Sequence, residues 1–78
     1  MSRPVRIGQR YRSTEAPACV WEVADVIDLN RIQHAVLVLV REPLTRKTVS
    51  AVGLQNRSAF EFVSDVPGET AEAGWPRR

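Results

Sequence analysis

The stretch "HAVLVLVREPLTRKTVSAV", residues 34–52, decides the fold. It reads as a strand, a tight connection and a second strand, with Pro43 suited to the second position of a type I turn over "EPLT", residues 42–45. A loop at 43–46 sets Glu42 opposite Lys47, Val40 opposite Val49 and Val38 opposite Ala51 on one face. On the other face Arg41 meets Thr48, Leu39 meets Ser50 and Leu37 meets Val52. In this register Val36, Val38, Val40, Val49 and Ala51 are core, while Leu37, Leu39 and Val52 form an apolar patch on the outer face. Contiguous apolar surface of this kind marks interaction sites. Three coverings compete for it: strand curvature, Trp75 of the C-terminal segment folding back, or another protein, including a second copy.

Working outward, strand signals continue on both sides. "IGQRYRS", residues 7–13, places Ile7, Gln9, Tyr11 and Ser13 on one side and Arg10 and Arg12 on the other. Pro17 breaks the chain in "STEAPA" because it has no backbone donor and a fixed φ. "CVWEVADVIDL" is a second strand, with Trp21 and Val23 in phase. Asp25 falls on that same phase, so a bulge near Ala24–Asp25 is expected to restore the alternation. Asn30 is the residue in "DLNRIQ" best able to accept a left-handed turn, and the third strand runs from Gln33 to Arg41. The fourth strand ends at Gly53, Leu54–Ser58 fits a single 3₁₀ turn with Leu54 inward, and Phe60 and Phe62 share the inner face of a fifth strand. The remaining "SDVPGETAEAGWPRR" has little to bury and reads as a disordered acidic tail with a basic end.

This order resembles the SH3-like small β-barrel: five bent strands with one 3₁₀ turn before the last. The resemblance rests on "GQRY", "VWEV", "REPLTRK" and "LQNRSAFEFV", and it extends to short uncharacterised bacterial proteins of that architecture. It implies an all-β, five-stranded barrel over residues 5–63, after a flexible N-terminus (1–4) and before the tail (64–78). SH3-like barrels serve peptide binding, RNA or ribosome binding and assembly, so the fold alone does not choose. The polyproline groove of eukaryotic SH3 domains needs a cluster of aromatics. Tyr11, Trp21, Phe60, Phe62 and Trp75 are too few once the core has taken its share.

The chain has 78 residues, enough for one small domain with a marginal core. A single cysteine, Cys19, rules out an intrachain disulfide framework. The longest apolar run, Ala35–Val40, is far short of a membrane span, and the basic N-terminus lacks the apolar stretch of a signal peptide. A cytoplasmic protein is expected.

Chemistry-bearing residues are sparse. Cys19 and His34 could pair as nucleophile and base, but no third residue orients them. Read structurally, Cys19 is a small core residue and His34 a rim residue. One Cys and one His do not make a zinc site, and the four isolated glycines form no phosphate cradle. Asp25 and Asp28 fall on opposite faces of a strand, which suits no paired acid–base role. No enzyme, metal or cofactor is expected.

Charge is arranged in alternating blocks. Arg3, Arg6, Arg10 and Arg12 come first; Glu15, Glu22, Asp25 and Asp28 follow. Arg31, Arg41, Arg46, Lys47 and Arg57 then outweigh Glu42, and Glu61, Asp65, Glu69 and Glu72 close the pattern before Arg77 and Arg78. Such blocks favour packing of one segment on another as readily as binding of an external anion. The expected function is a non-enzymatic binding module that engages protein through the outer face of the 33–52 hairpin, using Leu37, Leu39, Val52 and Trp75. The alternative is an RNA- or ribosome-associated module using Arg6, Arg10, Arg12, Arg46, Lys47 and Arg57 as phosphate contacts. The plain reading of those cations is a solvated face that maintains solubility.

Overall fold

The computed structural model of the chain describes residues 4–65. Five strands and one helical turn follow in the order β1 (Arg10–Ser13), β2 (Val20–Leu29), β3 (Ile32–Leu39), β4 (Glu42–Ser50), α1 (Ala51–Leu54) and β5 (Phe60–Ser64). The strands form one antiparallel sheet in the order β4-β3-β2-β1-β5, so the fold is all-β. β4 and β5 are the two edges, and no ladder joins them among the described residues. The fifth strand extends to Ser64, which pairs with Arg10, and Asp65 binds Arg6. Residues 1–3 and the 66–78 part of the expected tail, Trp75 included, lie outside the described residues.

β2 and β3 make a long hairpin closed by Asn30 and Arg31, whose φ values of 54° and 67° are the left-handed pair that a two-residue primed turn requires. The pairing starts at Leu29↔Ile32 and slips between Val23 and Asp25. That bulge leaves Ala24 unpaired and turns Asp25 outward opposite Val36, so Val26, opposite Ala35, can pack against the core. The core face therefore reads Trp21↔Leu39, Val23↔Leu37, Val26↔Ala35.

The β3–β4 connection differs from the sequence expectation. The tight turn is Val40–Arg41, with Leu39 paired to Glu42; the next pair is Val38↔Arg46, so Pro43, Leu44 and Thr45 loop out of the ladder. Pro43 has no N–H to donate, and it sits in this looped segment rather than in the turn itself. Val49 thus pairs with Ala35 and not with Val40, a shift of five positions. An odd shift exchanges the faces. Leu37 and Leu39, expected outside, are buried in the core at 0% and 6% exposure, while Val36, Val38 and Val40 are only half-buried.

The helical turn also starts earlier than the expected 3₁₀ turn over 54–58. Ser50 caps it, its Oγ accepting a 3.0 Å hydrogen bond from the Gly53 N–H, and Ala51 and Leu54 point into the core. Leu54 is fully buried, as its position predicts. Tyr11 and Phe62 meet edge to face at 5.5 Å. The buried polar side chain beneath them is Gln9. Its Oε1 accepts from the Tyr11 hydroxyl and the Arg6 N–H, and its Nε2 donates to the Pro4 carbonyl.

Candidate docking face

Side chains alternate across a sheet, and paired residues share a face. With Trp21, Val23, Leu37 and Leu39 inward, the opposite face of the β2–β3 hairpin carries Val20, Ile27, Leu29, Ile32, Val36 and Val38, interrupted by Glu22 opposite Val38, Asp25 opposite Val36 and His34 opposite Ile27. Ile32 and Leu29 are 54% and 45% exposed, so the stripe becomes most open at the hairpin tip. There the alternation is inverted relative to a normal half-buried strand: Asp28 and Gln33 occupy the core-side positions, and the aliphatic residues face away from the core. None of α1, the loops or the other strands contributes a core residue to this side: the buried cluster lies entirely on the inner face.

The rim of the face is charged and largely self-neutralised. Arg10 binds Glu22 at 2.9 Å across β1 and β2, Arg12 approaches Glu61 at 3.6 Å across β1 and β5, and Arg6 binds Asp65 at 3.1 Å. Three of the six cations expected to contact phosphate are therefore already paired with carboxylates. The N-terminal basic block meets the acidic blocks, as the alternating charge pattern allows. Lys47 is engaged differently. Its ammonium lies 4.4 Å from the Trp21 ring centroid and 5.2 Å from that of Phe60, which draws edge strand β4 toward edge strand β5 across the core. The Trp21 indole N–H is buried there with no acceptor. Arg46, opposite Val38 on β4, and Arg57, in the turn before β5, have no ion pair among the described residues.

The other sequence candidates fall as follows. Leu37 and Leu39 are core and cannot touch a partner. Val52 is 79% exposed on α1 and does not belong to a patch with them. Cys19 packs half-buried against the core at the start of β2, and His34 pairs with Ile27 far along the hairpin. Eight residues of strand separate those positions by roughly 26 Å, so Cys19 and His34 do not form a reactive pair. Asp25 and Asp28 lie on opposite faces, and no group of three or more His, Cys, Asp or Glu side chains suited to a metal gathers among the described residues. No helix among them is long and apolar enough to cross a membrane.

The aliphatic stripe was missed from sequence because the β3 faces were assigned from β4. The signal was present in "VIDLNRI", where Ile27, Leu29 and Ile32 share one face of a two-residue hairpin. No family model, curated protein or solved structure matches the chain.

Proposed function

We propose that the protein is a non-enzymatic binding module that engages another protein through the outer face of its central hairpin sheet. The observation that carries this reading is the set of six aliphatic side chains, with Glu22, Asp25 and His34 among them, on the side of β2–β3 opposite the core, with no core cluster of described residues over it. Exposed aliphatic surface interspersed with charged side chains is the kind of surface that protein interfaces use. We read the architecture as an SH3-like open barrel: five bent antiparallel strands, a helical turn before the last, and Lys47 spanning the gap between the unpaired edges.

The nucleic-acid reading is weaker. Arg6, Arg10 and Arg12 are in ion pairs and Lys47 faces aromatic rings, which leaves few cations for phosphates on any one surface. The test is affinity capture from cell extract with the wild-type chain and with an Ile32→Lys/Val36→Lys variant. Both positions are at least partly exposed, so the variant should keep the wild-type far-ultraviolet spectrum and melt cooperatively. Loss of captured proteins with the fold intact is the expected result. Unchanged capture by the folded variant contradicts the assignment.

A further inference from the structure

The outer face carries its charges in balance: Arg10, Arg12 and Arg46 against Glu22, Asp25 and Glu61. A polyanion would meet as many carboxylates as guanidinium groups there. A partner with both signs in the same arrangement fits better. Of these six, the two without an ion pair among the described residues, Arg46 and Asp25, lie on opposite sides of β3, one on β4 and one on β2. We infer that the occupant of this face is a second copy of the same chain, packed sheet to sheet about a two-fold axis parallel to β3. This rests on the docking face proposed above and names its partner.

The ladder selects the axis. Across the sheet the outer rows read Arg10–Glu22–Val38–Arg46 and then Asp25–Val36–Thr48. An axis perpendicular to the strands that crosses β2 between Glu22 and Asp25 would bring Glu22 of one copy over Asp25 of the other. An axis between β2 and β3 would press Val38 onto Glu22 and Val36 onto Asp25, burying carboxylates against aliphatic carbon at high cost. An axis along β3 sets Ile32, His34, Val36 and Val38 each against its own counterpart. It also brings each Arg46 over the other copy's Glu22, beside Asp25. This arrangement sets Val36 and Val38 on their own counterparts and Arg46 over Glu22 at once, and it is isologous, as a closed dimer requires. It also agrees with the near-aligned packing of stacked sheets.

The size of the face sets the strength. A hairpin about 30 Å long and two strands wide, with shorter contributions from β1 and β4, gives roughly 1,000 Å² of total buried surface in the dimer. That is the size of weak, transient contacts, so a reversible, concentration-dependent dimer is expected.

Sedimentation equilibrium of the full chain from about 10 to 500 μM tests this. The expected mass rises from 8.8 kDa toward twice that value. Val38→Lys, which places two ammonium groups against each other on the axis, and Arg46→Glu, which sets carboxylate against Glu22, should each weaken association at least tenfold. Arg46 is exposed and Val38 only half-buried on the outer face, so circular dichroism should report an unchanged fold, and Leu44→Lys in the looped segment serves as a control that leaves association intact. A mass fixed at 8.8 kDa across the range, or association indifferent to Val38→Lys and Arg46→Glu, overturns the inference. If the chain is monomeric and Ile32→Lys/Val36→Lys still abolishes capture from extract, the second copy is wrong and the docking face stands. If neither effect is seen, both fall.

Discussion

Replacing Leu37 by alanine, beside the same change at Val38, separates the two possible faces of β3. Leu37 is fully buried opposite Val23, and Val38 is half-buried opposite Glu22 on the outer face. Truncating a fully buried leucine leaves a cavity and costs about 2–5 kcal/mol, so about 3 kcal/mol is expected for Leu37→Ala. Val38→Ala removes two methyl groups that are already partly in water, for about 0.5–1 kcal/mol. At about 0.05–0.15 kcal/mol per residue, a 78-residue chain is stable by about 4–12 kcal/mol in all. The first change therefore removes a quarter or more of the total. At about 4–8 °C per kcal/mol, Tm should fall by about 12–24 °C for Leu37→Ala and by less than about 8 °C for Val38→Ala. Urea unfolding followed by circular dichroism, with a common m-value, measures both on one scale. If Val38→Ala proves the costlier substitution, the valines are core, the β3–β4 register is wrong, and the docking face disappears with it.

Other substitutions probe the parts that hold this frame. Gln9→Leu removes the acceptor of the Tyr11 hydroxyl and the Arg6 N–H and the donor to the Pro4 carbonyl and should cost about 2–3 kcal/mol, measured by urea unfolding. At Asn30, where φ is 54°, a valine should lower stability by about 1–2 kcal/mol while a glycine changes little, as read from urea midpoints. Lys47→Met keeps the aliphatic stem but removes the charge from above Trp21 and Phe60. A loss of about 0.5–1 kcal/mol in thermal unfolding is expected, and an unchanged Tm would mean the ammonium contributes nothing.

Local chemistry was legible in the sequence where one residue type dictates the backbone. Asn30 announced its left-handed turn, and the misplaced phase of Asp25 announced the bulge at Ala24. Together these two features already imply Leu37 opposite Val23 and Leu39 opposite Trp21, because a two-residue turn and one extra residue fix the whole β2–β3 ladder. Pro43 misdirected the reading of the other hairpin. A proline that suits a turn position also suits a segment excluded from pairing, and the ladder places Pro43 in the latter, with Lys47 brought over Trp21. Because β3 is apolar on both sides, its own sequence could not reveal the five-residue error. The early start of α1 was hidden for a related reason. "TVSAV" continues a strand pattern, and Ser50 ends it through a cap that depends on the Gly53 N–H. Arg10 and Arg12 of β1 share one face, but their carboxylates come from β2 and β5, and that of Arg6, ahead of β1, from the residue after β5, which sequence proximity does not indicate.

The central claim is that the chain meets another protein through the outer face of β2–β3, and photo-crosslinking tests it most directly. A photoreactive phenylalanine placed singly at Ile32 or Val36, and as comparisons at Val52 or Val63, reports which surface lies against a neighbouring protein, whatever that protein is. The account predicts covalent adducts from positions 32 and 36, with little from 52 and 63. Adducts from Val52 or Val63, with none from Ile32 and Val36, would contradict it.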